Sequence, residues 1–452
     1  MKDILQIVKG TEVPSSFYAQ RSFAEDLSIV TQIIDDVRSS GDAAIHTYAK
    51  RFDRAAPTSL EIDKSRLVEA ELRLKDVDPD LYESLKLSYN LAFKFALKQR
   101  ESFSDFEVAL SPGIVTGQKT IPVDRAGVYV PAGRFPLFSS VIMGSVPAKA
   151  AGVKEIVLCT PPAPLNGDAS IPWADERILA VASLCGIDRV FAVGGAQAIA
   201  AMAYGTETIP KVDVIVGPGN KFVAEAKKRV YGQVGIDLVA GPTEVMIICD
   251  DSAHPDWMAA DLLAQAEHDP DAQAILLTCS MEIAQSVQNR ISVLLNDLPE
   301  SAAARSSIGN NSMIIVVDDL NEAAEIANRK APEHLEIAVS DGTERELLCE
   351  KVRNYGSLFI GHRSAEVLGD YAAGLNHTLP TSGAARFTGG LSVRHFLKTV
   401  TTLRVPEASV GSVDPNAFDG LVKSLRAAEQ IAKAEGLSGH ALAARCRLDS
   451  LI

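Results

Sequence analysis

Six polar residues in this 452-residue chain carry side chains whose types permit metal or acid–base chemistry. In "LLAQAEHDPDAQ", residues 262–273, Gln265 and His268 stand three apart, so a helix would place both on one face. An amide oxygen and an imidazole nitrogen there would make half of a divalent-metal site. The same pair also fits a solvated helix end. In "APEHLEI" Glu333 and His334 adjoin after a proline that starts or ends an element. A carboxylate beside an imidazole has the composition of an acid/base pair, and equally of a capping pair. Asp370 in "GDYAAG" and His440 in "EGLSGH" complete the ligand-type residues. Spacing alone does not bring these positions together. The other histidines, His46, His254, His362, His377 and His395, read as structural or surface residues.

Two glycine turns are the next candidates: "VGGAQAIA" at 193–200 and "VGPGNKFV" at 216–223. Each follows an apolar strand-like run and opens a helix-like one. Free backbone N–H groups at a helix start, approached closely past glycine, suit a phosphate. Neither turn is GxGxxG, so the dinucleotide fingerprint is absent. On the plainer reading Asn220 caps a helix and Gln197 is a solvated first-turn residue.

The elements that must hold these residues follow from periodicity. "FAEDLSIVTQIIDDVRSSG" and "DLYESLKLSYNLAFKFALKQRESF" predict amphipathic helices, the first ending at Gly41. "VALSPGIVTGQKTIPVDRAGVYVPAG" predicts short strands. From about 140 to 245, "EIVLCT", "RVFAVGG" and "VDVIVGPG" alternate with helical runs, the pattern of a parallel sheet covered on both faces. A second set follows with "EVMIICD", "AQAILLTC", "SMIIVVDD" and "GSLFIG", joined to the first through "LVAGPTE". After about 391 come a strand-like "KTVTTLRV" and helices over 415–435 and 438–446. The fold class expected is α/β.

A net charge of −14 argues against nucleic acid and anionic membrane as partners. No apolar run reaches membrane-span length, and "MKDILQIVKG" lacks a cleavable leader pattern, so a cytoplasmic protein is expected. The six cysteines form no CxxC pair and read as buried reduced thiols.

Taken in order, "GVYVPAG", "PAKAAGV", "VGGAQAIAA", "GPGNKFVAEAKK", "AGPTEV", "LLAQAEHDP", "APEHLEI", "GDYAAGLNHTLPTSGAARF" and "EGLSGH" resemble the histidinol dehydrogenase family over nearly the whole chain. The resemblance implies a zinc- and NAD-dependent homodimer. It would oxidise a primary alcohol through a bound aldehyde to a carboxylate, with L-histidinol as the first substrate to test. It implies zinc ligands at Gln265, His268, Asp370 and His440, the last supplied with Glu435 by the partner chain. Glu333 and His334 would be the acid/base pair, and Tyr129, Gln197 and Asn220 the NAD contacts. The small polar alcohol would meet Thr243, Gln265, His268, Glu333, His334, Asp370, Glu435 and His440.

The implied architecture is two incomplete Rossmann-like parallel units with an N-terminal helical segment and a C-terminal helical arm exchanged in the dimer. Its divisions are an N-terminal arm 1–22, a first α/β domain 23–128 plus 245–390, a second α/β domain 129–244 on the NAD side, and an exchanged segment 391–452.

The sequence also departs from the family. Thr243 stands where the family commonly has Ser, and Arg134–Phe135 where small residues are common. Leu375 and "TGGLSVRHFLKTVT" differ too. Such departures fit a paralogue resembling sulfopropanediol dehydrogenase, acting on 2,3-dihydroxypropane-1-sulfonate, with Arg134, Arg386 or Arg394 facing the sulfonate. A regulatory nucleotide binder and a thiol-dependent aldehyde dehydrogenase are the rivals from other classes.

Overall fold

The computed structural model describes residues 5–19, 27–132, 136–298, 301–405 and 418–451. The chain folds as two units, Met1–Arg100 with Val123–Phe396, and Glu101–Pro122 with Leu397–Ile452.

The larger unit holds two six-stranded sheets. One is built from β2 (Glu61–Ile62), β5 (Arg125–Tyr129), β6 (Glu155–Thr160), β7 (Arg189–Ala192), β8 (Val214–Val216) and β9 (Gly235–Ile236), in the order β2-β7-β6-β5-β8-β9. All neighbours are parallel except the edge strand β2. The order reverses between β5 and β8, which opens a crevice at their carboxyl ends. The other sheet is wholly parallel. It contains β1 (Gln6–Lys9), β10 (Glu244–Cys249), β11 (Gln273–Thr278), β12 (Met313–Val316), β13 (His334–Ala338) and β14 (Ser357–Ile360), in the order β1-β12-β11-β10-β13-β14.

Successive strand residues point to opposite faces, and the core follows that alternation. Val245, Ile247 and Cys249 pack under the helices Pro255–Ala266 and Met281–Asp297. Met246 and Ile248 meet the helix Leu320–Lys330 on the other face. With both faces covered, these strands need the near-continuous apolar runs seen in the sequence.

The smaller unit is an antiparallel sheet of β3 (Phe106–Ser111), β4 (Ile114–Pro122) and β15 (Leu397–Arg404), with the helices Asp419–Ala434 and Ser438–Asp449 packed on each other. Glu429 accepts from Lys433 at 2.5 Å and from Arg445 Nε at 2.8 Å, tying the two helices together.

The expected division of the chain differs from this packing. Residues 61–62 pair with β7, and the helix Ser28–Phe52 packs its Val30, Ile33, Ile34 and Val37 into the core of the first sheet, so this segment joins 129–244 rather than 245–390. Gln6–Lys9 is an edge strand beside β12, not a detached arm. Residues 101–122 fold with the C-terminal segment because β4 pairs along its length with β15. Gly41 does leave helical dihedrals, at φ 53° and ψ −132°, but the helix resumes beyond it to Phe52. The joint expected at "LVAGPTE" lies between β9 and β10. Among the described residues no helix is long and apolar enough to cross a membrane.

Candidate active site

Two cavities of the larger unit share Leu137, Pro218, Gly219, Asn220, His268 and Asp269 in their walls, so they form one trough. The first, about 800 Å³, lies at the amino ends of β10 and β13 and is lined by Thr243, Gln265, His268, Glu333, His334, Asp370 and His377. The second, about 830 Å³, lies at the carboxyl ends of β5 to β8.

The backbone sets Glu333 and His334 in place. The helix Leu320–Lys330 ends at Ala331, whose φ of 55° is left-handed and turns the chain into Pro332. His334 then enters β13 opposite Val245. Both side chains are buried. Glu333 Oε2 accepts from the Thr243 hydroxyl at 2.5 Å and from the Glu244 N–H at 2.9 Å. Thr243 Oγ1 in turn accepts from Gln265 Nε2 at 2.5 Å. His334 Nδ1 is 3.2 Å from the Glu244 carbonyl and 3.2 Å from Gln265 Nε2. A hydrogen on Nδ1 would be donated to that carbonyl, which leaves Nε2 as the open ring nitrogen. Nε2 is buried with no hydrogen-bond partner and lies 3.7 Å from Asp370 Oδ1, itself buried and unpartnered.

The charges are arranged unevenly. Burial pushes Glu333 up to about 7, against the pull of His334, the Thr243 hydroxyl and the Glu244 N–H. Burial also opposes charge on His334, but Glu366, Glu333 and Asp370 around it hold the imidazole well above its ordinary value. Glu366 is pushed to about 8 by burial. Asp370, although burial works against it too, is held below the usual carboxylate range by the His334, His377 and His268 rings.

Two metal-ligand sets can be compared. His334, Glu366 and Asp370 bring ligand atoms within 4.8 Å of one another. In that set His334 also has Glu333 as an acid/base neighbour, its Nδ1 lying 3.8 Å from Glu333 Oε2. Gln265, His268 and Asp370 instead line the open cavity. With its nitrogen on Thr243, Gln265 leaves its amide oxygen for a cation. The unpartnered, anionic Asp370 Oδ1 and this mixed nitrogen and oxygen set fit a borderline divalent ion such as zinc. His440 and Glu435 are exposed residues of the smaller unit and are not among the lining residues.

The second cavity contains Tyr129 and Gln197, both buried, and Asn220. Gly217, at φ +115°, packs so close to Tyr129 that any side chain would strike its carbonyl oxygen, and Gly195, at φ +67°, starts the helix Gly195–Tyr204. The Tyr129 hydroxyl accepts from the Gly195 N–H at 3.0 Å. Asn220 Oδ1 caps the helix Lys221–Val230 through Phe222 N–H and Val223 N–H, leaving its amide nitrogen to a ligand. Gln197 is not solvated but buried beside Asp53.

Several groups here give no sequence signal. Glu366 and Asp53 are isolated acids at element ends. His377, 3.4 Å from Ser139 Oγ, is expected from sequence to be structural but lines the first cavity. The sulfonate readers do not assemble: Arg386 is exposed and donates to the Arg329 carbonyl, Arg394 is exposed, neither lines the cavity, and Arg134 lies outside the described residues. Of the cysteines, Cys159, Cys185 and Cys249 are buried as expected, whereas Cys279 and Cys446 are exposed; none is paired.

A family profile described as histidinol dehydrogenase matches residues 18–448. The chain belongs to the histidinol dehydrogenase family. The histidinol dehydrogenase of Synechococcus sp. is 45% identical over 424 residues, covering 93% of this chain and 92% of that one. The Pseudomonas syringae pathovar syringae histidinol dehydrogenase is 43% identical over 422 residues, 93% and 88% of the two chains. The crystal structure of histidinol dehydrogenase from Elizabethkingia anophelis superposes with a TM-score of 0.88 at 35% identity, covering 100% of this chain and 99% of that one.

Proposed function

We propose that the trough is the active site of an NAD-dependent oxidoreductase that converts L-histidinol to L-histidine in two successive oxidations. The observation that carries this reading is the meeting of Glu333 and His334 with Gln265, His268 and Asp370 on one cavity wall, in a histidinol dehydrogenase-family chain. Tyr129, Gln197 and Asn220 would hold NAD, which would supply the hydride acceptor, and Gln265, His268 and Asp370 would hold Zn²⁺, which would supply Lewis-acid chemistry.

The protein's own work is proton handling and placement. With Nδ1 turned to the Glu244 carbonyl, His334 presents Nε2 to the cavity as the base for the alcohol hydroxyl. Glu333, near neutrality, deprotonates the water that adds to the aldehyde. The Glu244 carbonyl fixes the His334 tautomer, and the Thr243 hydroxyl aims the Glu333 carboxylate. Thr243 performs with its hydroxyl what Ser would.

A homodimer fits the exposed apolar residues of the smaller unit, among them Phe106, Leu110, Leu403 and Leu442. In that dimer His440 would complete the metal set and Glu435 the substrate contacts, each donated to the other copy. A net charge of −14 disfavours nucleic acid and anionic membrane as partners.

The test is NADH formation from L-histidinol with zinc present. Two NADH should appear per alcohol. No turnover with L-histidinol, but turnover with 2,3-dihydroxypropane-1-sulfonate, would overturn the substrate assignment.

A further inference from the structure

Strand β13 carries an acid where its partners across the sheet are apolar. Glu336 is 4% exposed and sits between Ile247 of β10 and Phe359 of β14. A buried carboxyl inside a parallel sheet costs free energy unless it is hydrogen-bonded. It stands two residues after His334, so both side chains leave the same face of the strand. Glu336 Oε1 accepts from the Glu366 N–H at 2.8 Å.

Glu366 is the first residue of the helix Glu366–Tyr371, which carries Asp370. A helix start leaves N–H groups without intrahelical acceptors, and a side-chain oxygen of the preceding residue commonly meets one of them. Here the preceding residue is Ala365, and no side-chain cap forms. The acceptor comes instead from Glu336, on the strand that carries His334. Farther along the same helix Gly369 rests on the Phe359 ring, where a Cβ would lie 2.6 Å from Phe359 Cε1. One polar and one steric contact therefore seat this six-residue helix on the sheet. A helix so short has little stability of its own, so its place depends on such contacts. Asp370 follows Glu366 by four residues, about one turn.

We propose that Glu336 is a positioning residue: by holding the first N–H of the Asp370 helix against the His334 strand, it sets where the Asp370 carboxylate stands relative to Gln265 and His268. This rests on the reading of Asp370 as a metal ligand.

Zinc titration of the metal-free protein against a chromophoric chelator tests it without turnover. Two variants separate the place of the acceptor from its charge. E336D keeps the charge and withdraws the oxygen by one methylene. E336Q gives up the charge and keeps an acceptor oxygen at full length. E336D should weaken zinc binding by about tenfold, and E336Q by no more than about twofold. NADH titration is the control, because Glu336 does not line the second cavity. Both variants should bind NADH as wild type does; parallel loss of zinc and NADH affinity would report general disruption and overturn the proposal. The reverse order of the two variants, equal weakening by both, or no weakening by either would overturn it as well. A wild-type protein that binds no zinc, or a D370N variant that binds it as tightly as wild type, would instead overturn the metal reading of Asp370, and this inference with it.

Discussion

His334 Nε2 and Asp370 Oδ1 face each other across 3.7 Å, both buried and neither with a hydrogen-bond partner. The gap is too long for a direct bond, and two unpartnered polar atoms in one cavity wall are costly unless a bound group meets them. Replacing His334 by Asn keeps a donor for the Glu244 carbonyl and removes the proposed base. The H334N variant should lose about 10²–10⁴-fold in kcat for histidinol. Its NADH affinity, proposed to be set in the second cavity, should stay within about twofold, since His334 does not line that cavity. Steady-state rates and an NADH titration on one preparation check both.

Thr243 relays between Gln265 and Glu333, so losing its hydroxyl leaves both short of a partner. T243V should cost about 1–3 kcal/mol of stability, read from urea melts, while T243S stays near wild type. Because that hydroxyl helps hold the Glu333 carboxyl down, T243V should also move the acid limb of aldehyde oxidation to higher pH.

Asp53 makes a pH prediction for the nucleotide-free protein. Its carboxyl rises from an ordinary 3.8 to about 7 in the fold. Between those values the folded state holds a proton that the unfolded chain has released. This contribution to stability is therefore complete below 3.8 and disappears as pH climbs through about 7. D53N cannot titrate, so its melting temperature relative to wild type should increase across that window and level off above it. Calorimetry from pH 4 to pH 8 measures the difference.

Lys227 and Asp237 form a buried ion pair, and both also grip the 216–223 glycine turn, Lys227 through the Gly217 carbonyl at 2.9 Å and Asp237 through the Gly217 N–H at 2.8 Å. K227M strands a buried carboxylate and should cost about 3–5 kcal/mol in urea melts. On the proposed placement of NAD, NADH should bind more weakly as well, because the glycine turn loses its tether.

Mixed dimers test the proposed exchange of His440. Gln265→Ala and His440→Asn should each be inactive alone. Refolded together, random mixing should restore about a quarter of wild-type activity, since one site of each hybrid is intact. Sites confined to one subunit would recover nothing.

Local chemistry and periodicity are legible in the sequence. Glu333 beside His334, and Gln265 three residues before His268, are readable because their spacing is short, although the helix ends at Ala266 and His268 lies in the turn beyond it. The βαβ alternation from β5 to β14 is readable because buried parallel strands are continuous apolar runs. Glu366 and Asp53 carry no such signal, since each becomes significant only through neighbours distant in the chain. The pairing of Gly117 with Thr402 leaves no local trace either, which is why the sequence alone assigns residues 101–122 to the wrong partner. His377 resembles any loop histidine until the fold places it near Asp370.

The two sheets use opposite edges, and backbone dipoles make that choice consequential. Near Gln265 and Glu333, the helices Pro255–Ala266 and Leu320–Lys330 present their C-terminal poles, each worth roughly half a negative charge. Around the glycine turns, the helices Gly195–Tyr204 and Lys221–Val230 present N-terminal poles of the opposite sign. The main chain thus separates a cation-loving end of the trough from an anion-loving end before any side chain contributes. Neutralising Asp370 would weaken that polarity without reversing it.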